Sequence, residues 1–149
     1  MLLTRRQLLR AIDGARIKQA IAEAERGTTG EIRVSVAPFF WGNVHRVAEL
    51  AFERLGMRST PQHNAVLIFV VPSRRSFTVL GGEGIHARVG EEFWSGLTAD
   101  MAKRFRGGDF TGGLVHGIDT VGRELAAHFP AVPSGHVNVL PDDVDFGPG

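Results

Sequence analysis

The stretch Ala65-Val66-Leu67-Ile68-Phe69-Val70-Val71 contains seven consecutive apolar residues. A strand with one face in water alternates apolar and polar residues, whereas a strand covered on both faces shows a continuous apolar run. The run is followed by the turn sequence Pro72-Ser73-Arg74-Arg75 and then by Phe77 and Val79 in alternation. The sequence therefore predicts a central buried strand at 65–71 and an antiparallel neighbour after residue 75.

The remaining elements arrange themselves around this central strand. Ile32, Val34 and Val36 alternate with polar residues, which predicts a half-buried strand, and an amphipathic helix closed by Gly56 separates it from the central one. A strand–helix–strand unit makes the two strands parallel with a right-handed crossover. Other helical patterns occupy residues 8–24, 93–105 and 114–129, with Gly14 as a kink or as the true start of the first. The predicted fold is α/β, a three-layer α/β/α sandwich of about four helices around a small mixed, mostly parallel sheet with one antiparallel strand.

Length and composition restrict the class of protein. The chain has 149 residues, which suits a single domain over residues 1–130 with a Pro/Gly-rich C-terminal extension at 131–149. We expect this extension to be either an ordered segment that wraps around the domain or a frayed tail. The absence of cysteine excludes disulfides, thiolate metal sites and cysteine nucleophiles.

Charge and hydropathy bear on partners and compartment. Seventeen Lys and Arg residues against sixteen Asp and Glu give a net charge of +1, so no strong field favours nucleic acid. The longest apolar run is far shorter than the ~20 residues of a membrane-spanning helix, so we expect a soluble, cytoplasmic protein with no transmembrane segment. Residues 1–20 hold five basic groups and one acidic group, which reads as a solvated helix face or as a contact for anionic lipid or a partner.

The hairpin predicts where polar residues from distant parts of the chain meet. If the turn closes around Ser73 and Arg74, opposed residue numbers add up to about 147, which places Asn64 near Glu83. The parallel crossover brings the start of the first strand to the same edge of the sheet. The residues gathered there are Glu31, His63, Asn64, Gly81, Gly82, Glu83 and His86.

Oxygen ligands from carboxylates, amides and loop backbones suit Ca²⁺ or Mg²⁺. We therefore predict Glu31, Asn64 and Glu83 as metal ligands, with His63, Gly81, Gly82 and His86 as neighbouring binding residues. Three alternatives stay open: solvated loop ends with no ligand, nitrogen ligation of Zn²⁺ by the two histidines, and a phosphate on the glycine backbone. No nucleophile with an adjacent base stands out, so no catalytic residue is assigned.

An ordered series of short motifs runs through most of the chain. It begins with Glu25-x-x-Thr28-Thr29-Gly30-Glu31-Ile32 and continues through Leu55-Gly56-Met57-x-x-Thr60, Asn64-x-Val66-Leu67-Ile68, Gly84-Ile85, Phe93-Trp94, Gly113-Leu114, Leu125-x-x-x-Phe129-Pro130 and Asn138-x-Leu140-Pro141-Asp142. In this order the motifs resemble the TPM domain family, in particular its short soluble bacterial branch, and the first motif is similar to the opening of these domains. The resemblance spans roughly residues 15–145.

The resemblance implies an α/β/α sandwich and two classes of function. Some TPM domains are described as metal-binding acid phosphatases, and others resemble accessory proteins of membrane complexes. By position, Asn64 and the Gly81–Gly84 loop belong to the family's cation site. Relatives often have Asp where Gly82 stands and Gly where Ala65 stands, so this chain lacks a carboxylate there.

Two functions follow from this combination of features. The first is a non-catalytic or weakly metal-binding TPM module, an accessory or interaction protein for a protein or membrane-complex partner. The alternative is a divalent-metal-dependent phosphatase with a degenerate site. In it, a Ca²⁺ or Mg²⁺ ion held by Asn64, Glu83 and backbone oxygens would polarise a phosphomonoester and activate water.

Overall fold

Three strands form one sheet in this computed structural model, which describes residues 10–38, 42–133 and 138–147. Strands β1 (Glu31–Val36), β2 (Ala65–Val71) and β3 (Ser76–Gly81) lie in the order β1-β2-β3. The β1–β2 pair is parallel and the β2–β3 pair is antiparallel. This mixed sheet with a central β2 confirms the predicted topology.

The hairpin between β2 and β3 has the predicted register. Val66 pairs with Gly81 and Leu67 pairs with Leu80, so paired residue numbers add up to 147. A short 3₁₀ helix at Pro72–Arg74 makes the turn, and Arg75 closes it in the left-handed conformation with a φ of 51°. Proline fixes the first torsion of such a turn, which explains why the sequence signal here is reliable.

Five helices lie within the described residues. They are α1 (Gly14–Glu25), α2 (Val44–Arg54), α3 (Glu83–His86), α4 (Glu91–Arg106) and α5 (Phe110–His128). Gly14 is the start of α1 rather than a kink, because the Asp13 side chain caps the helix by accepting a hydrogen bond from Arg16 N. The sequence Thr4-x-x-Gln7 is a capping-box pattern that predicts an earlier helix start, and it lies outside the described residues. Gly56 follows α2 with a φ of 70°, as its role as a left-handed cap predicts.

Helices cover both faces of the sheet and produce the three predicted layers. The Val66, Ile68 and Val70 side chains join the core that α1, α4 and α5 form on one face. The alternate residues of β2, including Leu67, join a second core with α2 on the other face. Every residue of β2 is buried, which is the property that its continuous apolar run predicts.

The outer edge of β1 is covered by residues 138–147, here called the C-terminal strap. Asp145 N donates to Val34 O at 2.9 Å, and Val36 N donates to Asp145 O at 2.8 Å. Leu140 of the strap is buried in the core on the α2 side. The described part of the C-terminal extension is therefore an ordered wrap, and the division of the chain at residue 130 stays a prediction.

Side chains fasten the strap at Asp145. Its carboxylate accepts hydrogen bonds from the Ser35 hydroxyl at 2.7 Å and from Arg54 Nη2 at 2.7 Å. Burial alone would raise the pKa of Asp145, but the hydrogen bonds from Arg54 and Ser35 outweigh it and hold that pKa below its ordinary value. The strap is thus attached by a charged contact as well as by backbone pairing. Within the described ranges, no helix combines the length and apolar character needed to cross a membrane.

Candidate functional site

Three loops meet at one edge of the sheet, at the pole that the hairpin register predicts. Glu31 pairs with Ala65, and Glu31 N donates to Asn64 O at 3.4 Å. On the other side of β2, Gly82 N donates to Ala65 O at 2.9 Å. The backbones of Glu31, Asn64 and Gly82 are therefore neighbours although the residues are far apart in sequence.

His63 links its own loop to α3 through the backbone. Its φ of 51° is unusual for a residue other than glycine, and its carbonyl oxygen accepts hydrogen bonds from Gly84 N at 2.8 Å and Ile85 N at 3.4 Å. This close approach leaves no room for side chains opposite it. A Cβ added at Gly82 would lie 2.5 Å from His63 O, and one added at Gly84 would overlap Gln62 O. The missing carboxylate at position 82 thus coincides with a backbone contact that requires glycine.

The carboxylate of Glu31 is turned toward the C-terminal strap. Glu31 is 1% exposed, and its Oε1 accepts hydrogen bonds from the backbone N–H groups of Val139 and Leu140, both at 2.8 Å. A carboxylate that accepts two backbone N–H groups forms strong, charge-assisted hydrogen bonds. The structure therefore places Glu31 at the predicted pole and gives it a bracing contact. Its role as a metal ligand stays a prediction.

The buried Asn64 side chain connects two of the loops at the same pole by a hydrogen bond. The residue is 1% exposed, and its Nδ2 donates to Thr29 Oγ1 at 3.2 Å. The Thr29 hydroxyl in turn donates to Gln62 Oε1 at 2.5 Å. This chain of hydrogen bonds joins the loop before β1 to the loop before β2.

A cleft of about 250 Å³ opens beside these loops, between α2 and the end of β3. It is here called the pole cleft. Its floor is apolar and is formed by Phe52, Met57 and Leu80. Its polar rim is formed by Glu49, Arg58, His63 and Glu83, and Gly81 and Gly82 complete the wall. His86, the remaining predicted binding residue, is exposed and lies edge-on to Trp94 with 6.0 Å between the ring centroids, outside the cleft lining.

The rim charges of the pole cleft are partly paired. Arg58 Nε forms a salt bridge with Glu53, and His45 Nε2 lies 3.1 Å from Glu49 Oε1. Glu83 is exposed and forms no salt bridge with any residue in the described ranges. Over residues 10–38, 42–133 and 138–147, no group of three or more His, Asp or Glu side chains is arranged to hold a metal ion. The cleft can accommodate an apolar group, with Glu83 available to a cation or a hydrogen-bond donor at its rim.

An acidic cluster that the sequence does not predict lies between α1, β1 and the strap and consists of Glu25, Glu31 and Asp142. Glu25 is 2% exposed and its Oε2 accepts a hydrogen bond from Ile32 N at 2.8 Å. Burial, with contributions from the carboxyl groups of Asp142 and Glu31, raises the pKa of Glu25 to about 9, and the Ile32 N–H opposes the rise. In the sequence, Glu25 stands out only as part of a family motif. Nothing in its local pattern indicates that the end of α1, strand β1 and the strap meet at this residue.

Comparisons with known proteins show which family shares this α/β/α fold. The family model of the TPM domain matches residues 3–124. The chain therefore belongs to the TPM domain family.

Solved structures show the same fold. The BA42 protein of the psychrophilic bacterium Bizionia argentinensis is 33% identical with a TM-score of 0.85, and the match covers 91% of this chain and 92% of that one. The N-terminal domain of a Corynebacterium glutamicum protein, cg2496, is 15% identical with a TM-score of 0.60, covering 83% of this chain and 76% of that one. A third N-terminal domain, from P. gingivalis, is 18% identical with a TM-score of 0.51, covering 92% of this chain and 82% of that one. No curated protein matches the chain significantly.

Proposed function

We propose that this chain is a non-catalytic TPM module, an accessory protein that binds a partner protein through the pole cleft. The observation that supports this best is that two neighbouring sets of residues at the pole have different roles. The polar groups nearest the sheet, on Glu31 and Asn64, make bracing hydrogen bonds, while the adjacent cleft presents an apolar floor and a charged rim. A rigid pole beside an open apolar cleft is suited to recognition.

The cleft favours a particular kind of partner side chain. Leu80 is partly exposed and offers apolar contact to an aliphatic stem, with the buried Phe52 and Met57 behind it. The exposed Glu83 carboxylate can meet a cationic end. Lysine and arginine combine these two features. The proposed ligand is therefore a protein segment that presents a basic side chain with apolar neighbours.

A peptide titration tests the proposal. A short peptide of alternating Leu and Arg is added to the isotope-labelled protein and NMR shift changes are recorded, with the matching Leu/Glu peptide as the control ligand. We expect the Leu/Arg peptide to shift residues that line the pole cleft, and Glu83→Gln to weaken its binding severalfold. Glu92→Gln removes an exposed carboxylate on α4, outside the cleft lining, and should leave binding unchanged. Shifts confined to other surfaces would contradict the assignment of the cleft.

A weakly held divalent cation at Glu83 is the metal-binding part of the same proposal. Calorimetric titration with Ca²⁺ and Mg²⁺ should give weak binding that Glu83→Gln removes and Glu92→Gln retains. Tight binding unaffected by Glu83→Gln would place the ion elsewhere.

The metal-dependent phosphatase is the competing function, and the same variants separate it from the binding module. It requires a cation on Asn64, Glu83 and backbone oxygens that polarises the phosphoryl group of a monoester. Turnover of a phosphomonoester with Mg²⁺, Ca²⁺ or Zn²⁺, abolished by Glu83→Gln and kept in Glu92→Gln, would overturn the non-catalytic proposal. We expect no cation-dependent turnover above that of the buffer.

A further inference from the structure

Strand β3 forms an edge of the sheet that no other strand covers within the described residues. The opposite edge, at β1, is covered by the C-terminal strap. The β3 sequence Ser76-Phe77-Thr78-Val79-Leu80-Gly81 has no charged residue and no proline, and all six residues are partly exposed. Edge strands usually carry charges, prolines or bulges that prevent pairing with another chain. The composition of β3 therefore lacks the charged residues and prolines that prevent an edge strand from pairing with another chain.

The register shows which backbone groups of β3 are available. Gly82 N donates to Ala65 O, so the backbone N–H group of Gly82 points toward β2. In an antiparallel pair every second residue points its backbone groups toward the partner strand, and the residues between them point the other way. The N–H and C=O groups of Phe77, Val79 and Gly81 consequently face away from β2. They lie in a row on the open edge, and no hydrogen bond to another described residue occupies them.

We propose that a second copy of this chain pairs with this edge, β3 against β3 in antiparallel orientation, with the two-fold axis at Val79. Val79 then lies opposite the other copy's Val79, and Phe77 lies opposite Gly81 in both directions. All three outward-facing positions are used, which gives about six backbone hydrogen bonds and one continuous six-stranded sheet.

Charge at the ends of β3 supports a second copy as the occupant. The register centred on Val79 brings Arg75, which closes the turn before β3, to the same end of the paired strands as Glu83, the first residue of α3, of the other copy, and the symmetry creates this pair twice. Both residues are exposed, and neither forms a salt bridge within the described ranges. Sliding the register by two residues loses a facing backbone pair and places Arg75 opposite an uncharged residue. In this one register, the edge is complementary to a second copy of itself both in charge and in backbone hydrogen bonding. Such an edge is suited to self-association.

Sedimentation measurements on the full chain test the proposal. The contact is small, so we expect a reversible monomer–dimer equilibrium that becomes visible on approaching about 1 mM protein. Arg75→Glu and Glu83→Arg should each weaken association by about tenfold, because both symmetric pairs change from attractive to repulsive. The double variant should restore the original affinity, and Arg123→Glu, an exposed change on α5, should have no effect.

Several results would overturn the second copy as the occupant. They are a monomer at every concentration, a dimer that both single reversals leave intact, and a double variant that fails to recover. An extended foreign peptide that binds β3 while the chain alone stays monomeric would also replace it. Far-UV circular dichroism establishes that each variant is folded. Arg75 does not line the pole cleft, so loss of the dimer in Arg75→Glu with unchanged peptide binding separates this inference from the proposed function.

Discussion

Glu31 and Leu140 are 109 positions apart in sequence, yet the Glu31 carboxylate accepts a hydrogen bond from the Leu140 backbone N–H at 2.8 Å. The same oxygen accepts the Val139 N–H at 2.8 Å. One buried side chain at the start of β1 therefore orders the beginning of the C-terminal strap. This contact gives the Glu31 carboxylate a structural role, and its role as a metal ligand stays a prediction.

Replacing Glu31 should destabilise the protein. Glu31→Ala leaves two backbone N–H groups without their charged acceptor, and we expect a loss of about 2–3 kcal/mol in the free energy of unfolding. Glu31→Gln keeps an acceptor oxygen and should cost less. Chemical denaturation measures both, with the exposed Glu92→Ala as a control expected within about 0.5 kcal/mol of wild type. Equal stability of Glu31→Ala and the control would show that the strap contact contributes nothing.

Glu25 should make stability depend on pH. Burial raises the pKa of Glu25 to about 9 in the folded protein, whereas the unfolded chain keeps the ordinary value of 4.5. Between these values the folded state binds a proton that the unfolded state has released. Stability is therefore complete below the lower value and falls as the pH rises toward the higher one, by an amount on the order of a few kcal/mol.

A neutral variant isolates this effect. Glu25→Gln cannot ionise, so its free energy of unfolding should fall less between mildly acid and alkaline pH than that of wild type. Denaturation curves at a series of pH values give the comparison. Parallel pH profiles for the two proteins would exclude Glu25 as the source.

Leu67→Asp should prevent folding. Leu67 is fully buried in the centre of β2, and an unpaired charge there has neither water nor a partner. We expect the loss of a cooperative thermal transition. Leu50→Asp is the matched control, because Leu50 is 63% exposed on α2 and should tolerate the charge. A cooperative, native-like melt of Leu67→Asp would contradict the buried central strand.

An aspartate at position 82, which the family resemblance implies for other members, should disturb the pole before it can bind a cation. The Cβ of Gly82→Asp would lie 2.5 Å from His63 O, so the loop must shift, at a cost of about 1–3 kcal/mol. Gly96→Ala is the control, because nothing lies within 4 Å of its added Cβ, and a helical Gly→Ala change should stabilise slightly. Unchanged stability of Gly82→Asp together with new tight Ca²⁺ binding would show that the loop accepts the carboxylate.

The sheet could be predicted from sequence because its signals are local. The apolar run at 65–71, the Pro72 turn and the two-residue period after it determine topology and register, and these bring Asn64, Gly82 and Glu31 to one pole. A continuous apolar run indicates burial on both faces without knowledge of the partners, and β2 confirms this. Alternation is less informative: it predicts a half-buried β1, which is wrong, because all six residues of β1 are buried and the strap contacts Arg33 and Ser35.

The use of the polar side chains at that pole could not be predicted in the same way. The strap lies in a Pro/Gly-rich segment without periodicity, and its contacts with Glu31, Ser35 and Arg54 cross most of the chain. The need for glycine at position 82 depends on the left-handed His63 and its carbonyl, which no local pattern of the loop indicates.

The strap also has a consequence for folding during translation. β1 is synthesised more than a hundred residues before Asp145, the residue whose backbone pairs with its outer edge. Throughout that interval a nascent chain that has already formed its β1–β2–β3 hydrogen bonds presents two open strand edges rather than one. Ribosome-bound intermediates of this protein are therefore expected to be more prone to aggregation, and better substrates for chaperones, than the released chain.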